Sequence, residues 1–536
     1  MIKKITVFFR RETNYVLALI FLISFFGLLS LFYDQWVIRP KSTIYCFAHN
    51  YMPDYYQYLS WMKDGSDGKF LITSRLSPDN FPRRPVYLFY PFFGFLVSRL
   101  GLNLYLGYTL VRIAFSLLKI FVLYWLISFV FKKASSRKLA FLIALFLPPF
   151  YSFRPFTRLF SRIASVDILH RAFFIPHNLA TTGFVLIAIL LLYRWLQINE
   201  NKNKPAQWRF LIFAAILFIL AAIANPAMLS FYYLFLGLGF FITFLQKPSA
   251  KLILAGGVAL LAGLPLIIYY QLLFKDTLPF SWMYEQQKIV TLDIDFKGYF
   301  FSLGPAAILF FFSLKDFLKK KDLLANFLIV WAVIPFLLEP LLGRRLPVSQ
   351  ERLFELSHFI PLSILATATL EKMLDKFKKP FLSKLVYLLI VMFSVPYLYL
   401  SVKSQLEDYN KPYINIYLEK SLIEAFSWLD KNTPDESVVS SGYYTSNMIP
   451  AFTHNKVLFG HDFVTYQSQQ REQEMKTILN PQTEEKTIRE ILKKNKISYL
   501  LFTPETGSLP LLRLKQMAGM EIVFANQGNT ILKTGY

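Results

Sequence analysis

Long apolar runs separated by polar connections fill the first 400 residues of the chain. The runs hold roughly 18 to 25 residues, and a helix of that length crosses a bilayer core about 30 Å thick. The pattern predicts membrane spans at 14–33, 105–131, 138–153, 172–196, 209–224, 227–246, 251–273, 299–314, 324–342, 355–372 and 383–402. The predicted fold class is a polytopic α-helical membrane protein with about eleven spans and juxtamembrane helices in its first external loop.

The basic residues between the spans predict the orientation of the chain. Lys and Arg cluster at 132–138, 202–204, 247–251, 315–321 and 372–384. Positive charge favours the cytoplasmic side, and a cytoplasmic N-terminus places every one of these clusters there. This orientation requires that the short apolar stretch 86–100, which contains Pro91, lies at the outer interface or re-enters rather than spanning.

The same orientation divides the polar segments into external loops and one soluble domain. The predicted external loops of a transmembrane domain 1–411 are 34–104, 154–171, 274–298 and 343–354. From about 412 the pattern changes to that of a small extracytoplasmic α/β domain, 412–536. Its predicted elements are helices at 421–431 and 483–495, strands at 437–440, 456–459 and 498–502, and a hairpin of 521–525 with 530–533.

Composition narrows the classes of function. The 536 residues are 55% hydrophobic and 17% charged, with a formal net charge of +24. The positive charge lies between apolar runs and the chain has no nucleic-acid motif, so we expect membrane lipids rather than nucleic acid as partners. A single cysteine, Cys46, excludes an internal disulfide and a cysteine-rich metal site.

The first predicted external loop carries an acidic residue where a helical pattern begins. One face of the stretch 54–63 collects Tyr55, Tyr58, Leu59 and Met62. This spacing is typical of a helix that lies in the membrane interface with its aromatic face down. Asp54 follows Pro53 and would begin this helix, where a carboxylate can cap the backbone. The same carboxylate could instead accept a proton from an acceptor hydroxyl.

Polar groups that a lipid-borne substrate would need occur in three further predicted loops, of which the loop 154–171 is the first. The loop 154–171 and the start of the next span hold Asp167, His170, Arg171 and His177. Two histidines near an aspartate also suggest a metal site, but their spacing matches no strong metal motif, and interfacial anchoring explains them equally well.

The loop that precedes the tenth predicted span is strongly charged. It is predicted to be external, which is the side of the membrane where positive charge is least expected. It holds Arg344, Arg345, Arg352 and Glu355. Guanidinium groups suit a lipid-linked phosphate, since they bind phosphate oxygens in a two-pronged geometry. An internal ion pair between Arg352 and Glu355 is the alternative.

Aromatic and polar residues in two other segments are candidates for the acceptor side. The loop 274–298 holds Trp282, Tyr284 and Glu285, which could stack on a sugar or anchor the chain at the interface. In the C-terminal domain, His461 and Asp462 follow Gly460 in a segment that precedes a helix. They could face the membrane site or serve as a turn and cap.

The order of these motifs resembles the GT-C superfamily of polytopic membrane glycosyltransferases, in particular the protein O-mannosyltransferase and aminoarabinose-transferase group. The resemblance is carried by a first span, the acidic loop motif Asp54-Tyr55-Tyr56-Gln57-Tyr58-Leu59-Ser60, the entry Phe81-Pro82-Arg83-Arg84-Pro85, and a next span with Tyr105 and Arg112. It implies an enzyme that moves a sugar from a polyprenyl-phosphate-linked donor to a glycan, lipid or protein acceptor of the cell envelope. It also implies that Asp54 is the catalytic base of an inverting reaction.

One departure from the superfamily pattern concerns metal ions. Many members have two adjacent acidic residues in the first loop, whereas Asp54 is followed by Tyr55. No cofactor is therefore certain, and a divalent metal such as Mg²⁺ or Mn²⁺ is left open. Two other functions remain as alternatives: a transporter or flippase for lipid-linked saccharides, and a scaffold for envelope assembly. The absence of a convincing internal repeat disfavours the transporter.

Overall fold

The computed structural model describes residues 12–49, 51–149, 167–200, 207–289, 299–300, 303–342, 357–377, 380–409, 416–507 and 509–536. Its helices, in chain order, are α1 (Thr13–Tyr33), α2 (Met52–Ser66), α3 (Phe89–Arg99), α4 (Leu104–Val130), α5 (Ala134–Phe146), α6 (Ile168–Ala172), α7 (Pro176–Glu200), α8 (Arg209–Ala224), α9 (Pro226–Gln246), α10 (Ala250–Asp276), α11 (Phe280–Ile289), α12 (Ala306–Leu309), α13 (Leu314–Leu318), α14 (Leu323–Leu342), α15 (Phe359–Phe377), α16 (Pro380–Tyr409), α17 (Lys420–Asn432), α18 (Tyr443–Phe452), α19 (Ser468–Leu479), α20 (Glu485–Lys494) and α21 (Leu509–Leu514). The strands are β1 (Thr43–Tyr45), β2 (Tyr417–Glu419), β3 (Val438–Ser440), β4 (Lys456–Val457), β5 (Ile497–Phe502), β6 (Glu521–Asn526) and β7 (Asn529–Lys533).

Six helices within the described part of the chain are long and apolar enough to cross a membrane. They are Thr13–Ile38, Leu104–Val130, Pro176–Asn199, Pro226–Gln246, Ala250–Asp276 and Phe381–Leu406. Arg209–Ala224 and Leu323–Leu338 are apolar but shorter. The predicted class, a polytopic helical membrane protein, is confirmed, while the number of spans and their orientation stay predictions.

The described part of the predicted span 299–314 is not one continuous helix. It is divided into α12, a 3₁₀ turn at Phe310–Ser313 and α13. Gly304 precedes these turns with a positive φ of 66°, a conformation that side chains disfavour, and Pro305 follows it. A Cβ at Gly304 would also lie 2.2 Å from the Pro148 carbonyl oxygen. The local backbone therefore prevents the regular helix that the apolar run predicts.

The chain folds as two compact units, of which the first is helical. This helical unit comprises Met1–Ser30, Arg112–Tyr269 and Val290–Glu407. Its apolar core includes Trp331. The unit also contains a buried ion pair between Glu12 and Arg137. Arg137 Nε donates to Glu12 Oε2 at 3.0 Å, and the Tyr124 hydroxyl donates to the same carboxylate. Each charge has a partner, as buried charges require.

The second unit, here called the composite unit, is built from three separate stretches of chain. It comprises Leu31–Val111, Tyr270–Ile289 and Asp408–Tyr536. Its five-stranded sheet has the order β4-β3-β5-β7-β6, with β3 parallel to β4 and β5, and β7 antiparallel to β5 and β6. The predicted C-terminal hairpin is β6–β7. A second small sheet pairs β1 of the first stretch antiparallel with β2 of the last stretch.

Helix α2 is buried along most of its length. Tyr55, Leu59 and Met62 of the predicted aromatic face are buried, as expected, but so are Gln57 and Asp64, which the pattern placed elsewhere. The polar residues that the pattern placed away from the aromatic face are therefore buried as well, while the position of α2 in the membrane interface stays a prediction. Its amphipathic spacing is weak because the helix packs against both α3 and α18.

Two glycines allow α2 and α3 to cross closely. A Cβ built on Gly65 of α2 would lie 1.9 Å from the Pro91 carbonyl oxygen of α3, and one on Gly94 of α3 would lie 1.9 Å from the Met62 carbonyl oxygen of α2. Both positions face backbone atoms, which cannot move aside as a flexible side chain does. The crossing therefore requires glycine at both positions.

Buried charges join the first and last stretches of the composite unit. Arg75 Nε lies 3.3 Å from Asp64 Oδ1, and its guanidinium donates to the backbone carbonyls of Ser60 and Thr453. Burial raises the pKa of Asp64, and the charge of Arg75 partly opposes this rise. Arg471 of α19 likewise pairs with Asp79 at 3.1 Å. These contacts fix the first stretch against the C-terminal sheet.

Replacing Gly94 by alanine is expected to lower the thermal stability of the composite unit. The added methyl group must displace backbone, and such overpacking costs about 1–3 kcal/mol. The measurement is the unfolding temperature of the purified protein in detergent. Gly257→Ala is the matched control, because its Cβ would meet open space. Equal unfolding temperatures for both variants would contradict the close crossing.

Glu436 is expected to make the composite unit less stable in acid. Burial raises its pKa, but hydrogen bonds and charges from Lys456, at 2.9 Å, and Arg83 lower it overall. A lowered pKa in the folded state gives stability that is present above the unfolded value of about 4.3 and is lost as pH falls through the folded value. Thermal unfolding between pH 7 and pH 3 should therefore depend less on pH in Glu436→Gln. The exposed Glu521→Gln should behave like the parent, and identical pH profiles for Glu436→Gln and the parent would refute this assignment.

Candidate functional site

Asp54 lies in the first turn of α2 and faces the C-terminal part of the composite unit. The helix begins two residues earlier than predicted, at Met52, with Tyr51 as its N-cap and no side-chain cap. The predicted capping role of Asp54 is therefore wrong, because Asp54 is the third residue of the helix and Tyr51 occupies the N-cap position. Asp54 Oδ1 instead lies 2.8 Å from His461 Nε2, although 407 residues separate the two.

The imidazole of His461 is fixed by its own turn. The backbone N–H of Phe463 donates to His461 Nδ1 at 3.1 Å. The backbone N–H groups of Val464 and Thr465 both donate to the His461 carbonyl. The side chain of His461 is 2% exposed, whereas that of Asp54 is 38% exposed. The carboxylate is thus within reach of a substrate, and the histidine lies behind it.

The turn at His461 is attached to the first stretch through Thr465. The Thr465 hydroxyl donates to the Leu76 carbonyl at 2.6 Å and accepts from the Gly460 N–H at 3.2 Å. Gly460 packs so closely that a Cβ there would lie 2.7 Å from Leu76 Cδ2. The sequence suggested a turn here but could not indicate that it meets the loop after α2.

Asp462 forms a second polar cluster beside the pair. The Tyr51 hydroxyl donates to Asp462 Oδ2 at 3.1 Å, and Tyr443 of α18 also hydrogen-bonds this carboxylate. Burial is the main cause that raises the pKa of both tyrosines, and the nearby Asp462 carboxylate adds to the rise. The rings of Tyr51 and Tyr444 are 42% and 48% exposed. Sequence reasoning missed all three tyrosines, which carry no motif of their own.

Asp167 and its neighbours cap α6 and join it to other parts of the helical unit through hydrogen bonds. Asp167 caps α6 by accepting from the backbone N–H groups of Leu169 and His170 at 2.8 and 3.0 Å, and it also accepts from the Ser401 hydroxyl. His170 Nδ1 lies 3.3 Å from the same carboxylate. Arg171 donates to the Leu147 carbonyl at 2.9 Å, and His177 is buried in the first turn of α7.

Three basic or polar residues of α4 bind backbone carbonyls in the last residues of α6 and directly after it. Arg112 donates to the Phe173 and Phe174 carbonyls, Ser116 to Ala172 and Lys119 to Arg171. Arg112 belongs to the motif order described above, whereas Lys119 carries no motif. A charge inside an apolar span was the signal that could have found both.

Of the remaining candidate site residues, some lie within the described ranges and others lie outside them. Trp282 of α11 packs edge-to-face on Tyr466 with ring centroids 5.5 Å apart, and its buried Nε1 has no hydrogen-bond partner among the described residues. Tyr284 and Glu285 lie on the same helix. Arg344, Arg345, Arg352 and Glu355 lie outside the described residues. No cluster of three or more potential metal ligands occurs in the described ranges.

Comparison with known proteins defines the fold. No family model and no curated protein sequence matches the chain. Among solved structures, the oligosaccharyltransferase of Archaeoglobus fulgidus tethered to an acceptor peptide is 14% identical with a TM-score of 0.56, covering 98% of this chain and 74% of its own. The Archaeoglobus fulgidus oligosaccharyltransferase AglB in complex with an inhibitory peptide and a dolichol-phosphate is 14% identical with a TM-score of 0.55. The match covers 92% of this chain and 70% of that one.

A bacterial structure matches over nearly its whole length. ArnT from Cupriavidus metallidurans bound to undecaprenyl phosphate is 12% identical with a TM-score of 0.52, and the match covers 97% of this chain and 98% of that one. The chain is thus a polytopic membrane protein that shares the fold of these oligosaccharyltransferase and ArnT structures. This confirms, at the level of the fold, the resemblance that the motif order indicated.

Proposed function

We propose that the protein is an inverting membrane glycosyltransferase that takes a sugar from a polyprenyl-phosphate-linked donor and uses Asp54 as its catalytic base. The observation that carries this proposal is the contact between Asp54 and His461. A half-exposed carboxylate in the first turn of a buried helix receives a hydrogen bond from a buried imidazole. This combination of an accessible acid and a fixed partner suits general-base catalysis better than a purely structural role.

The proposed chemistry needs few components. Asp54 takes the proton of the acceptor hydroxyl as the hydroxyl oxygen attacks the anomeric carbon. The bond from that carbon to the phosphate oxygen breaks, the configuration inverts, and the polyprenyl phosphate leaves with the bonding electron pair. A phosphate leaving group needs no nucleotide site, and the sequence has no Walker-type or dinucleotide glycine motif.

On the donor side, the proposal rests on basic residues and on solved structures of the same fold. ArnT and AglB were solved with undecaprenyl phosphate and with a dolichol-phosphate, respectively. We assign the corresponding phosphate of this protein's donor to basic groups, because guanidinium forks match phosphate oxygens. The candidates are Arg171, Arg344, Arg345 and Arg352, with Glu355 as an orienting group and Asp167, His170 and His177 as supporting residues.

We place the acceptor at the cluster beside Asp54 that Tyr51, Tyr443 and Asp462 form. Tyr51 and Tyr444 expose ring faces on which an acceptor can pack, and Asp462 offers a carboxylate for its hydroxyl groups. Trp282, Tyr284 and Glu285 of α11 are further candidates in the same composite unit. The acceptor is a cell-envelope glycan, lipid or protein.

His461 does not fit as a ligand of a metal ion at Asp54, while a divalent metal stays a prediction. His461 Nδ1 accepts from Phe463 and Nε2 faces the carboxylate, so neither nitrogen has a lone pair directed at a cation. Asp54 is then the single acidic ligand of the pair. The steps proposed here therefore run through the protein's own side chains.

Asp54→Asn is expected to reduce sugar transfer by about 10²- to 10⁴-fold, because the amide cannot take a proton. The measurement is consumption of undecaprenyl phosphate carrying tritiated glucose, mannose or N-acetylglucosamine by the protein in vesicles. Asp67→Asn, at the exposed end of the same helix, is the matched control and should transfer normally. Normal transfer by Asp54→Asn contradicts its role as base, and lipid movement across the bilayer without sugar consumption favours the flippase.

Asp462→Asn and Tyr444→Ala are expected to weaken acceptor use without changing donor use. Losing one hydrogen bond or one ring contact should raise the acceptor KM about tenfold, which corresponds to about 1.4 kcal/mol. A soluble oligosaccharide, a serine-containing peptide and a glycerolipid are offered separately as acceptors. Donor hydrolysis by water is the internal reference and should stay unchanged. An unchanged acceptor KM in both variants would move the acceptor site away from this cluster.

A further inference from the structure

We infer that His461 is a positioning residue that holds Asp54 for proton abstraction as one fixed tautomer of a neutral imidazole. The inference rests on the proposed function, since it needs Asp54 to be the base. It assigns a part in catalysis to a residue of the C-terminal segment, 407 positions from the base in the chain.

The hydrogen bonds on the two ring nitrogens define the tautomer. Nδ1 accepts the backbone N–H of Phe463 at 3.1 Å, so Nδ1 carries no proton. The ring proton is then on Nε2, 2.8 Å from Asp54 Oδ1, where it donates to the carboxylate. A doubly protonated ring would direct its Nδ1–H at the N–H of Phe463. The local backbone therefore favours a neutral histidine that donates to Asp54.

The same contacts fix the direction of the donated hydrogen bond. The His461 ring contacts Tyr51 edge-to-face, with centroids 5.6 Å apart, and Phe463, 5.7 Å away, and the rings of Tyr51 and Phe463 also contact each other at 6.3 Å. Its carbonyl accepts from Val464 and Thr465, which closes the turn. A ring that is hydrogen-bonded at both nitrogens and packed against this aromatic pair cannot easily rotate away from Asp54.

Exposure separates the roles of the two residues. With its side chain only 2% exposed, His461 cannot meet a substrate, whereas Asp54 is 38% exposed. Because Oδ1 accepts the hydrogen bond from His461 Nε2, Oδ2 is the oxygen that takes the proton of the acceptor hydroxyl. His461 thus acts through Asp54, by fixing which carboxylate oxygen faces the acceptor and in which direction.

A purely structural bond between two parts of the composite unit is the competing explanation. The chain provides an internal comparison, because His454 forms a similar pair in the same unit. His454 Nδ1 lies 3.1 Å from Asp430 Oδ1 and its Nε2 lies 2.8 Å from the Thr433 carbonyl. Removing His454 also breaks a histidine–aspartate contact, but not one that involves Asp54.

The test compares His461→Ala, His461→Gln and His454→Ala in the full-length protein. The probe is undecaprenyl phosphate carrying the tritiated sugar that the parent consumes. His461→Ala should lower kcat about 10²-fold with little change in donor KM, the size of loss that misplacing a catalytic group produces. His461→Gln should recover to within about tenfold of the parent, because its amide N–H₂ can donate near the position of Nε2. His454→Ala should keep the parent kcat.

A double variant distinguishes failure of this inference from failure of the proposed function. If His461 acts through Asp54, adding His461→Ala to Asp54→Asn should cause no further loss of kcat. Normal activity in Asp54→Asn would overturn the proposed function itself. Loss in Asp54→Asn with a parent-like kcat in His461→Ala, or equal losses in His461→Ala and His461→Gln, would overturn only the positioning role.

Nitrogen NMR tests the tautomer independently of activity. The chain has six histidines, so a spectrum of protein labelled with ¹⁵N-histidine is small enough to assign His461 by its disappearance in His461→Gln. We expect the chemical shifts of a neutral ring protonated on Nε2, and the same state in inactive Asp54→Asn. A ring protonated on Nδ1, or on both nitrogens, would overturn the inference.

Discussion

The hydrogen bond from His461 to Asp54 is the interaction on which the candidate site depends. It exists only if the loop after the first span and the C-terminal segment hold a constant relation to each other. Several contacts in the composite unit provide this: the β1–β2 pairing, the Arg75 guanidinium on the Thr453 carbonyl, and the Thr465 hydroxyl on Leu76. The site is thus a property of the composite unit rather than of either stretch.

Buried polar groups account for how firmly these stretches are joined. Arg75 is almost fully buried, lies against the Asp64 carboxylate and donates to the carbonyls of Ser60 and Thr453. Asp64 and Ser60 belong to the first stretch, so the hydrogen bond to Thr453 joins the first stretch to the last. A hydrogen bond from a charged group contributes about 1.5–3 kcal/mol. Together with the ion pair between Arg471 and Asp79, this bond supports the packing that brings Asp54 to His461.

Local rules predicted much of the fold. Apolar runs of sufficient length indicated the long helices, such as α4 and α10, because backbone groups in a membrane must be satisfied within the helix. Alternation and turn residues indicated the β6–β7 hairpin, and amphipathic helical spacing indicated the helices α17 and α20. Prediction failed where distant contacts dominate: Gly304 breaks an apolar run because it meets Pro148, and α2 is polar on a face that is nevertheless buried.

The sequence by itself determined that the protein is a polytopic membrane protein, that its first loop carries an acidic residue, and which superfamily its motifs resemble. Only the tertiary structure decided what Asp54 contacts. It replaced a helix cap by a hydrogen bond with His461, and it placed Tyr51, Tyr443 and Asp462 beside that pair. The physical reason is the separation along the chain over which each interaction acts. Helix length and hydropathy act between neighbours in the chain, whereas a hydrogen bond between residues 407 positions apart depends on packing that no local pattern records.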